Sequence, residues 1–252
     1  YHPGCASMVA AGDLGRGIWA SHHRCLLWTH GRAIVVIDSF VRIPDVDETP
    51  STAPTLESNW QLGPGPIDWR ESERRLVTLH PDANLLMLFP TFPAETSLRI
   101  FEGESNPLRG WVSELYAEGG EDVPNRGHPI ASPMLTLTLS PMREARSEFI
   151  TILVPFPGSK APDLRASGTP ATLKQPGCLT LNWPDGSMDN YHWTYRLDVG
   201  LGEHDVWETD GSLIQITRDR SGREKGVAWD ATYLKPFFPQ IREEPGAITF
   251  TI

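Results

Sequence analysis

The stretch Ala33-Ile34-Val35-Val36-Ile37-Asp38-Ser39-Phe40 decides the fold. Side chains of a β-strand point alternately to its two faces, so a strand with one wet face shows a polar residue at every second position. Here the run from Ala33 to Ile37 is apolar without interruption. That puts hydrophobic side chains on both faces and predicts a central strand covered on each side. Arg24–Thr29 just upstream is a second strand candidate, and His30-Gly31-Arg32 between them reads as a tight hairpin turn.

Working outward, short runs rich in β-branched and aromatic residues recur along the chain, separated by Gly, Pro, Asp and Asn. The clearest are Leu76–His80, Leu85–Phe89, Ser97–Phe101, Met134–Ser140, Phe149–Val154, Cys178–Asn182, Tyr191–Val199, Leu213–Thr217, Val227–Leu234 and Ile248–Ile252. Asp210-Gly211 and Ser221-Gly222 mark two further hairpins. Leu135, Leu137 and Leu139, with Thr136 and Thr138 between them, predict one buried and one wet face. No segment keeps helical periodicity, and no internal repeat is visible. Residues 45–54 and 155–176 read as loop by composition. The expected architecture is all-β, a large antiparallel multi-stranded β-sandwich. It divides into a main sandwich region over 1–158, a linker or long loop over 159–176, and further strands over 177–252, in the same sandwich or in a small second domain.

Composition agrees with this reading. Of 252 residues, 22 are Gly and 23 are Pro, about one in six where one in eight is ordinary, too many turn formers for a helix bundle. The net charge of −10 and pI near 5.2 give a field that repels polyanions unless positive charge is gathered locally, which disfavours general nucleic-acid binding. Only Lys160, Lys174, Lys225 and Lys235 are lysine; the other cations are arginine, the residue that forks onto carboxylates and sulfates. Cys5, Cys25 and Cys178 form neither a zinc motif nor an even-numbered disulfide framework, although one bridge is allowed. No run is long and apolar enough to span a membrane. The chain opens on Tyr1 without a signal-peptide pattern, so it reads as a mature product or as a fragment of something longer.

Recognised catalytic motifs are missing. The eight histidines show no HxxxH, HExxH or CxxH spacing, so no metal site is expected. Gly63-Pro64-Gly65-Pro66 has prolines where a phosphate cradle requires N–H donors. Glu102 with Glu104, and Glu118 with Glu121 and Asp122, are the acidic groups from which a glycosidase pair would have to come. The nine tryptophans are more informative, because an indole face suits a pyranose ring as well as a protein core. Trp28, inside an apolar strand, is expected in the core. Trp69, between Asp68 and Arg70, and Trp183, before Pro184 and Asp185, lie beside turns and are expected to be accessible.

Two stretches carry a family resemblance. Ser21-His22-His23-Arg24-Cys25-Leu26-Leu27-Trp28, followed by Arg32 to Phe40, and then Gly103-Glu104-Ser105-Asn106-Pro107-Leu108-Arg109-Gly110-Trp111-Val112-Ser113-Glu114-Leu115-Tyr116, resemble in order and spacing the heparinase II/III-like polysaccharide lyases. Ser147 to Pro155 resembles the strand that follows. The resemblance implies the C-terminal β-sandwich region of such an enzyme, normally preceded by an (α/α) toroid that would be this chain's partner. It also implies β-elimination on an acidic, uronate-containing polysaccharide, and a periplasmic or secreted location, with cytoplasmic oligosaccharide processing as the other option. The family's catalytic His and metal-ligand stretch has no counterpart here. No catalytic residue, metal ligand or cofactor is therefore carried over, and the segment alone is expected to have no turnover. Substrate-contact candidates are Arg109, Trp111, Trp69, Trp183 and His22. The competing reading is a stand-alone carbohydrate-binding or interaction module.

Overall fold

The computed structural model describes residues 8–10, 20–29, 31–42, 55–93, 95–113, 129–139, 146–172, 175–194, 202–204, 207–209, 212–229, 234–236, 240–244 and 247–251. They form antiparallel sheets stacked in layers, as the apolar run at Ala33 demands. The middle layer is seven-stranded, in the order Met8–Ala10, Ala20–Thr29, Ala33–Arg42, Arg146–Pro157, Ala83–Leu88, Arg75–Thr78 and Ile67–Arg70. A three-stranded sheet orders Leu56–Gln61, Met134–Leu139 and Thr96–Phe101. A second seven-stranded sheet orders Arg165–Thr169, Gly177–Asn182, Met188–Trp193, Leu213–Arg218, Glu224–Trp229, Ala247–Thr251 and Gln240–Glu244.

Strand alternation explains the stacking. Val35, Ile37, Ile150 and Ile152 leave one face of the middle sheet and join Leu179, Leu181, Trp183, Tyr191 and Trp193 of the second seven-stranded sheet in one buried cluster. Phe40, Phe149 and Met87 leave the other face and join Leu56, Leu135, Leu137 and Leu139 of the three-stranded sheet. Each fully buried side chain of this kind contributes about 1.5–3 kcal/mol of transfer free energy. The expected hairpin turn is closed by Arg32 N–H donating to Thr29 O at 2.8 Å, with Gly31 at φ 72°. Ser221-Gly222 likewise closes a hairpin, whereas Asp210-Gly211 and residues 45–54 lie outside the described residues. Among the described residues no helix is long and apolar enough to cross a membrane.

Several expectations need correction. Residues 159–176 are not all loop: Arg165–Thr169 is an edge strand paired to Cys178–Asn182, held by backbone hydrogen bonds that its small and polar residues do not advertise. Leu56–Gln61 and Ile67–Arg70 are also strands, and Phe149–Val154 extends to Arg146–Pro157. The strand expected at Tyr191–Val199 runs instead over Met188–Trp193, and residues 195–199 lie outside the described ones. Thr136 is buried rather than wet, because it stands opposite Asn59 and donates to its Oδ1 at 2.6 Å. Trp28 is 58% exposed. It points away from the cluster that holds Leu27 and does not join the one under the three-stranded sheet.

Candidate functional site

The hairpin register builds a concentrated polar cluster on the middle sheet. Closure at Thr29 and Ala33 places Arg24 opposite Asp38 and His22 opposite Phe40. Asp38 is almost fully buried, yet every acceptor position it has is used. Its Oδ1 accepts from His22 Nε2 at 2.8 Å and from Arg24 Nε at 2.6 Å. Its Oδ2 accepts from Arg24 Nη2 at 2.8 Å and from Ser58 Oγ at 3.2 Å. Burial by itself would raise the Asp38 pKa; the hydrogen bonds from His22 and Arg24 outweigh it and hold the carboxyl below its ordinary value. The acid is therefore ionised. Since a carboxylate only accepts, His22 Nε2 must carry a proton, which leaves Nδ1 with the lone pair in the neutral ring.

Aromatic rings flank both donors. The imidazole of His22 stacks on Phe40, with centroids 4.5 Å apart and planes 7° from parallel. The Arg24 guanidinium lies 5.4 Å from the Trp60 ring centroid. His22 is thus an imidazole of fixed orientation and tautomer at a partly open surface. In the neutral ring its Nδ1 accepts a hydrogen bond from a ligand; only the protonated ring can donate to an anionic one. With Asp38 fully engaged, the cluster has no carboxylate oxygen left for a cation. Among the described residues no three His, Cys, Asp or Glu side chains converge as metal ligands.

The remaining candidates are dispersed. Arg109 Nη2 donates to both oxygens of Glu57, at 2.9 and 3.1 Å, and its guanidinium lies 4.7 Å from the Phe101 ring. Trp111 is half-buried and donates Nε1–H to Glu104 O at 2.7 Å. Between them Gly110, at φ 69°, has no room for a side chain, because a Cβ there would come within 2.6 Å of Phe101 O. Trp69 is half-buried and meets Phe89 edge-on, 6.2 Å between centroids. Trp183, expected to be accessible, is 6% exposed. Alternation continues from Leu179 and Leu181 into it, and its Nε1–H donates to Asp189 Oδ2 at 2.7 Å. Glu118, Glu121 and Asp122 lie outside the described residues. Sequence reasoning singled out His22 but not its partners Arg24, Asp38 and Ser58. Counting outward from the expected turn pairs 29 with 33 and hence 24 with 38, a signal that was available.

No family model and no curated protein sequence matches the chain. Among solved structures it is similar to a heparinase III, with a TM-score of 0.53 at 14% identity over 73% of this chain and 25% of that one. It is also similar to heparan sulfate lyase HepC from Pedobacter heparinus, with a TM-score of 0.52 at 19% identity over 79% of this chain and 28% of that one. A mutant of the latter gives a TM-score of 0.51 at 20% identity, over 79% and 28%. The chain spans about a quarter of the length of these structures. At such identities the likeness is one of fold.

Proposed function

We propose that this chain is the β-sandwich part of a polysaccharide lyase of the heparinase II/III-like kind, secreted or periplasmic, and that it supports a helical catalytic domain. The reading rests on one observation above the others, the similarity of its layered sheets to heparinase III and heparan sulfate lyase structures over most of this chain. The reaction is β-elimination on a uronate. A base removes the C5 proton, the C4–O bond breaks with its electron pair leaving on the departing sugar, and a C4=C5 double bond forms. The uronate carboxylate must be neutralised for the C5 proton to become acidic enough. Of the sequence candidates, His22 is the one whose setting suits contact with an anionic sugar, because its ring is pinned and partly open. Arg109 and Trp111 instead hold the turn around Gly110.

The test is an elimination assay read by the ultraviolet absorbance of the unsaturated uronate product. Heparan sulfate and alginate are offered both to the 252-residue chain and to the complete gene product. The complete product is expected to eliminate and the chain alone to be silent. Turnover by the chain alone overturns the supporting role. Silence of the complete product on every uronate polysaccharide overturns the lyase reading.

A further inference from the structure

Three hairpin tips meet at one end of the layered sheets. The first carries Gly31 and Arg32, the second Asp185 and Gly186, and the third Asp219 to Arg223. Two of them are built the same way. In Asp185-Gly186-Ser187, Asp185 Oδ1 accepts from Ser187 N at 3.0 Å and Ser187 Oγ at 2.5 Å. In Asp219-Arg220-Ser221, Asp219 Oδ1 accepts from Ser221 N at 2.8 Å and Ser221 Oγ at 2.6 Å. In each turn one carboxylate oxygen locks the loop and the other is turned to arginine. Asp185 Oδ2 accepts from Arg220 Nη2 at 3.0 Å and from Arg32 Nη2 at 3.2 Å, so one oxygen holds two guanidinia side by side. Asp219 Oδ2 accepts from Arg223 Nε at 3.1 Å.

In each pair the cation lies farther out than the acid. Arg220 is 74% exposed where Asp185 is 22%, and Arg223 is 79% exposed where Asp219 is 44%. Arg32 lies flat over the buried Trp183 ring, 3.7 Å from its centroid, and also donates to Ser187 Oγ at 2.8 Å. These arginines are therefore held in place before any ligand arrives, which lowers the ordering cost of binding. A chain of net charge −10 turns guanidinia outward here. Thr29, on the same hairpin as Arg32, is buried and hydrogen-bonded to Tyr191 Oη at 2.5 Å, so the backbone that presents Arg32 is anchored.

We propose that this end of the molecule, with Arg32, Arg220 and Arg223, is a binding surface for an acidic polysaccharide, separate from the His22 cluster. The guanidinia take the carboxylate or sulfate groups in forked geometry. The choice of acidic polysaccharide as ligand rests on the proposed lyase reading; the surface itself does not.

The test titrates the purified chain by calorimetry with heparan sulfate, alginate, dextran and a single-stranded DNA oligonucleotide. Heparan sulfate or alginate is expected to bind, dextran is not, and binding should weaken with added salt. The double variant Arg220→Glu/Arg223→Glu is expected to weaken binding roughly tenfold or more, with the melting temperature unchanged. The proposal is overturned if neither acidic glycan binds, if the charge-reversed variant binds as wild type, or if the oligonucleotide binds as tightly as the glycans. The elimination assay of the complete gene product is read independently, so failure here leaves the lyase reading to stand or fall on its own result.

Discussion

Asp38 shows how one buried residue turns a register into a site. Four donors converge on it, and none of them has a second carboxylate in the cluster to fall back on. Removing the acid leaves the Arg24 guanidinium half-buried against Trp60 without its counter-charge, so Asp38→Ala should lower stability by roughly 2–4 kcal/mol, measured as a shift of the urea midpoint. The pH dependence follows from the direction of the shift. Because the folded pKa lies below that of the unfolded chain, about 3.9, the contribution is fully present above that value and is lost as pH falls through the folded pKa. The gap between wild type and Asp38→Asn should therefore close only below about pH 4. A gap that closes near neutrality, or an unshifted urea midpoint in Asp38→Ala, would sink this account.

At the scale of elements, the Gly110 turn joins the Phe101 strand end to Trp111 through close backbone approach. Gly110 O accepts from Gly103 N and from Ser132 N, both at 2.9 Å. A Cβ on Gly110 would meet Phe101 O at 2.6 Å and Glu102 Cα at 2.7 Å, at a φ of 69°. Gly158 has a similar φ of 68° with nothing within 4 Å of its Cβ position. Thermal melting should thus cost Gly110→Ala roughly 2–5 kcal/mol, from strain plus overlap, and Gly158→Ala only about 1–2 kcal/mol, from strain alone. Equal losses would show that the close approach does not matter. The same scale explains what the sequence makes legible. Ala33 to Ile37 announces a covered central strand, Leu135, Leu137 and Leu139 announce a core face, and the hairpin count pairs Arg24 with Asp38. Burial of a given tryptophan is another matter. Trp28 and Trp183 both lie beside a turn at the end of an apolar strand, and Trp183 is buried in the cluster between the two seven-stranded sheets while Trp28 leaves its strand on the face opposite Leu27 and is exposed. Arg165–Thr169 escapes notice because an edge strand needs backbone partners more than apolar side chains.

The whole molecule is tied across its layers by one buried charge. Glu148 lies on the middle sheet, on the face toward the second seven-stranded sheet, and is 0% exposed. It accepts from the Arg146 guanidinium, from Ala171 N at 2.7 Å and from Trp193 Nε1 at 3.3 Å, while Arg146 Nε donates to Ser39 Oγ at 3.1 Å. The network thus spans the central hairpin, the Arg146–Pro157 strand, the segment after Thr169 and the second seven-stranded sheet. A buried ion pair need not add net stability, but half of one is costly. Glu148→Ala removes the acceptor that the buried Arg146 guanidinium and two N–H donors share and should destabilise by roughly 3–5 kcal/mol. In Arg146→Met/Glu148→Leu the two donors are still orphaned, at about 1–3 kcal/mol each, yet the guanidinium goes together with its buried acceptor. The double variant should therefore be more stable than Glu148→Ala by about 1–3 kcal/mol in chemical denaturation, and intrinsic tryptophan fluorescence should report the same transition as backbone circular dichroism. If the double variant is no more stable than the single one, the cost lies in the lost hydrogen bonds to Ala171 and Trp193, and charge compensation is not what holds the two layers in register.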